Sequence, residues 1–287
     1  MLLVIGWITV TICTLGGYVA LGGKLAVLWQ PFEVVIICGS AIGAYIVANP
    51  KTVLLATLRE IKVNFKGAKY DKQAYLELLS MLYAVFRQAK TKGWLSLEQH
   101  IENPHESELF QQFPIFYSDH HAVTFLCDYL RIISMGSDNS FEIEALMDEE
   151  LETHHAEQHQ VSGGMQTMAD GLPALGIVAA VLGVIKTMGS ITEPPEVLGK
   201  LIGGALVGTF LGVWVAYGFV GPLAASLKLR HEAESKYYQA IKIALLANLQ
   251  GYAPALSVEF ARKTLFSDVR PSFAEVEEAT SAVATPA

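Results

Sequence analysis

Residues 171–191 read GLPALGIVAAVLGVIKTMGSI, and residues 201–227 read LIGGALVGTFLGVWVAYGFVGPLAASL. Each run is apolar over about the 20 residues that a helix needs to cross the hydrocarbon core of a bilayer. Two more such runs cover 2–21 and 32–48. The composition agrees: 52% apolar, 17% charged and a mean hydropathy of +0.37 over 287 residues. Soluble domains carry about 25% charge. The sequence therefore predicts an all-α polytopic membrane protein with four transmembrane helices. It excludes a disordered chain, a coiled coil and an ordinary soluble enzyme. The first run lacks the basic n-region and small-residue cleavage site of a signal peptide, so it is read as an uncleaved span.

Basic residues set the expected orientation. Ten Lys and Arg fall in 49–169 and seven after 227, whereas the short loops hold only Lys24 and Lys200. Lys186 lies near the far end of the third span. The basic side is the cytoplasm, with both termini on it. The expected division is 1–48 (first two spans), 49–169 (a large cytoplasmic helical domain), 170–227 (last two spans) and 228–287 (a cytoplasmic C-terminal helix and tail). In the wet part, Leu76, Leu79, Leu82, Val85 and Phe86 recur at helical spacing, and Gly93 reads as the stop. Ser96 with Gln99 fits a capping box for a short helix that Pro104 ends. A further helix covers 141–159, with Phe141, Ile143 and Leu146 as its apolar side. Another helix follows the fourth span, and the last residues look like a frayed tail.

The net charge is −8 with no basic stripe, which argues against a nucleic-acid partner. Cys13, Cys38 and Cys127 form no C-x-x-C pair, so neither a disulfide framework nor a zinc site is expected. His155 and His159 beside Glu152 have the spacing of a metal pair, but on an acidic helix they read as surface residues, like His120 and His121. Gly22-Gly23-Lys24 lacks the first glycine and the hydroxyl of a phosphate loop. No catalytic residue, metal or cofactor is expected.

Within the spans, ionisable groups are scarce. Glu33 stands at the outer start of the second span and Asp170 at the inner start of the third. A charge at the bilayer centre costs at least about 2.5–3.5 kcal/mol, and ion relays usually contain one. If this chain couples to ion flow, the ion-carrying carboxylate belongs to a partner chain. Gly204, Gly208 and Gly212 form a smooth stripe on span four. Gly176 with Ala180, and Ala179 with Gly183, form shorter rows on span three. Such stripes let helices approach closely, either within this chain or a copy, or as a wall for a partner's helix. Thr209 is the aliphatic hydroxyl of mid-span four, where an isolated threonine bonds back to its own helix. Pro173 reads as a first-turn proline or half of a hinge. Pro222 should kink its helix.

Several separated blocks carry a family resemblance: LGGYVALGGKLAVLWQPFEVVIICGSAIGAYIVAN (15–49), SLEQHIENPHESELF (96–110), YLRIISMGSDNSFEIEALMDEELETH (129–154), LPALGIVAAVLGV (172–184), ALVGTFLG (205–212) with Pro222 beyond it, and NLQGYAPALSVEFARKTLFSDVRPSF (248–273). Together they resemble the flagellar motor stator A subunit, the MotA family, which is related to the ExbB and TolQ proton channels. Trp214 departs from the family's usual aliphatic residue.

The resemblance implies an inner-membrane homopentamer around a dimer of the B subunit, MotB, which supplies the ion-binding aspartate. It implies an ion channel that converts ion-motive force into torque on the rotor switch protein, FliG. The coupling ion would be a proton, with sodium as the alternative. Lys90 and Glu98 fall on the family's torque charges; arginine is common at the first, so Lys90 keeps the charge but not the fork geometry. Glu150 matches an acid of the cytoplasmic helix that faces the rotor. Pro173, Pro222 and Thr209 match channel and coupling positions, and Gly176 and Ala180 belong with them. The rival reading is an ExbB/TolQ-type energiser of outer-membrane transport or envelope maintenance, although those usually have three spans.

Overall fold

The computed structural model describes residues 2–65, 67, 69–137 and 139–283. Among these there is no strand, and four helical segments are long and apolar enough to cross a membrane. They are α1 (Leu2–Ala20), α2 (Leu25–Ala48), α7 (Ser140–Met188) and α8 (Pro195–Leu249). The other main helices are α3 (Lys51–Asn64), α4 (Lys72–Lys92), α5 (Glu98–Glu102), α6 (His120–Ser134), α9 (Pro254–Thr264) and α10 (Phe273–Ala282). The chain forms two compact units, one from 1–67 and 156–231, the other from 68–155 and 232–287.

The first unit is the apolar one. α2 breaks at Trp29 and Gln30 because Pro31 opens the next stretch as a first-turn proline. Three π-turns interrupt the spans, at Ile12–Gly16, Val35–Gly39 and Ala216–Val220. Ile37 and Ala41 of α2, Leu172 and Ala179 of α7, and Ala216 of α8 share one buried cluster. The last two spans belong to helices that run on beyond them. The α7 helix starts at Ser140, so Pro173 lies inside it and is not a first-turn residue. Likewise α8 opens at Pro195, where the proline's missing N–H costs no bond.

The second unit packs around α4. Asp71 caps it by accepting a hydrogen bond from the Ala74 N–H, and Gly93 ends it at φ 82. Leu79, Leu82, Val85 and Phe86 are fully buried, as their spacing predicts, and Leu76 is partly so. On the first turns of α7 the expectation was partly wrong. Ile143 and Met147 face the core, while Phe141 and Leu146 are exposed. The buried series steps by four from Ile143 to Met147 to Leu151, one face of a helix.

Ser96 also fails as a cap. Its hydroxyl donates back to the Gly93 carbonyl, a 3₁₀ turn covers Trp94–Leu97, and α5 begins at Glu98. Pro104 does close that helix's exit. The capping box of this unit is instead Ser272 with Glu275, and it makes 275–282 of the supposed frayed tail part of α10, whose Val276 enters the core; the tail's last four residues lie outside those described.

Candidate functional site: a glycine seam and a pair of exposed charges

In the membrane unit, α7 and α8 meet backbone to backbone. A Cβ on Gly176 would stand 2.9 Å from the Gly208 carbonyl oxygen and 3.0 Å from the Gly212 Cα. One on Gly183 would stand 2.6 Å from the Ala205 Cβ. The Gly208 position lies 3.1 Å from Ala179 Cβ and from the Ala180 nitrogen. The small-residue rows of the two spans therefore pack on each other within one chain. That face of Gly176, Gly208 and Gly212 is not a free wall for a partner's helix.

The seam also receives polar groups that the sequence did not reveal. Gly204 faces the Gln30 side chain, with Nε2 3.2 Å from its Cβ position, and Gly208 faces the Glu33 Oε2 at 3.0 Å. That carboxylate oxygen is buried with no hydrogen-bond partner among the described residues. The sequence placed Glu33 at the outer start of the second span; the fold sets its Oε2 against Gly208.

Thr209, beside Gly208, is half-buried and makes no side-chain hydrogen bond among the described residues. Thr9, Thr11 and Thr187 do bond back to carbonyls four residues earlier, which was the expectation for Thr209 too. Its hydroxyl keeps its capacity for another partner.

Pro173 cannot donate to the carbonyl of Ala169, and Pro222 cannot donate to that of Gly218 inside the π-turn Ala216–Val220. The two weakened places adjoin. A Cβ on Gly221 would stand 3.9 Å from the Ala169 Cβ. Below them, Glu60 Oε2 of α3 lies 3.8 Å from His231 Nε2 and 3.9 Å from Arg230 Nη1 of α8. A hydrogen bond with His231 first, and then the Arg230 guanidinium, hold the Glu60 carboxyl below its ordinary range.

In the second unit, Lys90 occupies the last turn of α4 and Glu98 opens α5. Both are exposed, and neither forms an ion pair among the described residues. Each stands at the helix end whose dipole suits its charge. The link between them is firm. Gln88, buried, donates to the Ser96 carbonyl at 3.1 Å, and Leu97 is buried. Gln88 carries no sequence signal for this role.

Glu150 is exposed but has an internal partner: the buried Tyr129 hydroxyl donates to its Oε2 at 2.6 Å. Burial, then the Glu150 carboxylate, pushes the Tyr129 phenol up, so it stays a neutral donor. The first unit thus brings Gly176, Ala180, Thr209, Pro173 and Pro222 onto one helix pair. The second holds Lys90, Glu98 and Glu150.

Comparison with known proteins gives a consistent placement. The family model for the motility protein A N-terminal region matches residues 4–93, and the MotA/TolQ/ExbB proton channel family matches 119–240. Motility protein A of Escherichia coli K12 is 47% identical over 286 residues, spanning 100% of this chain and 97% of that protein. Chemotaxis protein LafT of Vibrio parahaemolyticus is 33% identical over 274 residues, 96% of each chain. The flagellar MotAB stator complex from Bacillus subtilis superposes with a TM-score of 0.69 at 26% identity, over 89% of this chain and 92% of that one. The C. jejuni MotAB structure shares the fold, with a TM-score of 0.77 at 21% identity over 93% and 96%.

Proposed function

The chain belongs to the motility protein A family, and on that premise we propose that Lys90 and Glu98 are where this flagellar stator subunit grips its rotor. With a B subunit it forms a flagellar stator channel that converts ion-motive force into torque. It is a multi-pass inner-membrane protein. The stated role needs no catalytic chemistry. Its cytoplasmic termini, its preference for protons over sodium and the duties of individual residues are our reading.

The observation that carries the rotor contact is the state of the two charges: opposite in sign, exposed, and not neutralised by the described residues. Charges of that kind await a complementary surface. One elementary charge crossing 100 mV releases about 2.3 kcal/mol. An exposed ion pair contributes about 0.2–1 kcal/mol. Each contact can form and break within one ion's passage, whereas a much stronger one would stall rotation.

On the membrane side, the glycine seam fixes α7 against α8, and the paired weak points at Pro173 and Pro222 give that rigid pair a place to bend. Thr209 offers a hydroxyl beside the seam. In this reading an ion neutralises the partner's carboxylate, the A-subunit ring steps, and the ion leaves to the cytoplasm.

Deletion of the gene, with any second stator removed, tests the reading. Motionless filaments, restored by this chain with its B subunit, are the expected result. Normal rotation with defective uptake or envelope integrity would move the chain to the ExbB/TolQ-type energisers.

A further inference from the structure

Two neighbouring cavities of the membrane unit share a wall. The first, about 650 Å³, is lined by Lys24, Gln30, Glu33, Lys186 and Lys200, among others. The second, about 490 Å³, is lined almost wholly by apolar side chains, among them Leu15, Leu28, Trp29, Phe210 and Trp214. Gln30 borders both. It sits in the break of α2, where its amide donates to the Val27 carbonyl at 3.2 Å and meets the Gly204 face of α8. The chain from Lys24 to Trp29 is the partition. Lys24, Ala26 and Val27 line the charged side, and Leu25, Leu28 and Trp29 the apolar side.

Lys24, Lys186 and Lys200 are all the basic residues that lie outside 49–169 and the stretch after 227. They come from the connection before α2, from α7 and from α8, yet they line one cavity. All three are exposed, and none forms an ion pair or a side-chain hydrogen bond among the described residues. The one acid of the lining is Glu33, whose Oε2 is set against Gly208. Three ammonium groups beside one carboxylate leave an excess of positive charge, which a bound anion would neutralise.

We propose that the paired cavities bind one anionic phospholipid of the outer leaflet, with its phosphate among the three lysines and an acyl chain in the apolar compartment. A free anion would leave the apolar compartment to water. An uncharged lipid would leave the excess positive charge unmatched. Lysine suits the headgroup, because its stem lies along apolar surface while the ammonium stays at the polar boundary. Trp29, 79% exposed, is of the type that settles at headgroup level. The site goes beyond the stator reading and does not depend on it; only the leaflet follows from the orientation proposed above.

The test places the full chain with its B subunit in nanodiscs of phosphatidylcholine. The probe is a small fraction of acyl-brominated phosphatidylglycerol or, for comparison, acyl-brominated phosphatidylcholine. Bromine quenches tryptophan on contact, and Trp29 and Trp214 line the apolar compartment. The parent should be quenched at lower fractions of the brominated phosphatidylglycerol. Lys24→Gln, Lys186→Gln or Lys200→Gln should each lower that preference about fivefold, the weight of one lysine near an anionic headgroup. The triple glutamine variant should abolish it, and the triple arginine variant should keep it. Trp29→Phe with Trp214→Phe should remove the preferential quenching. No preference in the parent overturns the proposal. So does an undiminished preference in the triple glutamine variant or, if that variant fails to accumulate, in all three single ones. Preferential quenching that survives loss of both tryptophans would place the lipid elsewhere and overturn it too. Loss of the preference when inorganic phosphate replaces chloride at constant ionic strength would make this a free-anion site, against the lipid. The stator reading fails separately, in the rotation assay, and a parent that does not rotate still reports its lipid preference.

Discussion

Gly212 rests directly on Gly176. A Cβ on Gly212 would stand 2.7 Å from the Gly176 Cα and 2.7 Å from the Leu172 carbonyl oxygen. Both neighbours are backbone, so no side chain can swing aside. Gly212→Ala must push α8 off α7, and overpacking of this kind costs about 1–3 kcal/mol. The expected outcome is lower membrane abundance and lower thermal stability in detergent. Gly199→Ala, where nothing lies within 4 Å of the new Cβ, should be neutral in the same assays.

Reversing either exposed charge should act without unfolding. Lys90→Glu and Glu98→Lys are expected to slow or stop rotation of tethered cells while immunoblots show unchanged membrane levels. With an unmodified rotor, the double reversal should not restore swimming. Normal swimming from the double variant would remove these residues from the rotor contact.

Tyr129 predicts a subtler effect. Tyr129→Phe keeps the buried ring, which packs at 5.1 Å on Phe125, but deletes the donor to Glu150. The loss is about 1.5 kcal/mol, the low end for a hydrogen bond to a charged group because Glu150 is exposed to water, seen as a modest fall in thermal stability. If Tyr129 fixes the Glu150 carboxylate for the rotor, torque should fall with it. Glu150→Gln should match that torque loss, and full torque from Tyr129→Phe would leave the bond purely structural.

The Glu60 cluster predicts a pH dependence. Its carboxyl is depressed in the folded chain, chiefly by His231 and also by Arg230 and Arg59, against the opposing effect of burial. A depressed carboxylate contributes stability that is complete above its unfolded value, about 4.3, and is lost as pH falls through the lower folded value. The parent should be more stable than Glu60→Gln at neutral pH. The difference should close as pH drops below about 4, measured by thermal unfolding in detergent.

These residues differ in how plainly the sequence announced them. The four spans could be read because a bilayer demands long apolar runs, whatever the rest of the chain does. Helix α4 and its stop at Gly93 were equally plain, since periodicity and a positive φ are local properties. The glycine rows could be seen, but not what they touched, because spacing along one helix does not name the opposing helix. Local pattern was misleading where a hydroxyl had another partner: the Ser96 hydroxyl bonds back to the Gly93 carbonyl. Ser96 had cap spacing, yet the chain capped at Ser272, where Glu275 completes the reciprocal bonds.

What the sequence determined by itself was the class of molecule and, through separated blocks of likeness, its family. Both depend on composition and order, which need no three-dimensional partner. Through that likeness it also singled out Lys90 and Glu98. Tertiary structure alone decided that these charges are exposed and unpaired among the described residues, that Tyr129 holds Glu150, and that Gln88 clamps the link between Lys90 and Glu98. It decided too that Glu33, at the end of an apolar run, turns onto Gly208 and shares a cavity with Lys186. The physical reason is common to all four. The environment of a charge is set by whatever the fold brings within a few ångströms, and the spacing of residues along the chain does not say which side chain Glu150 or Glu33 will meet.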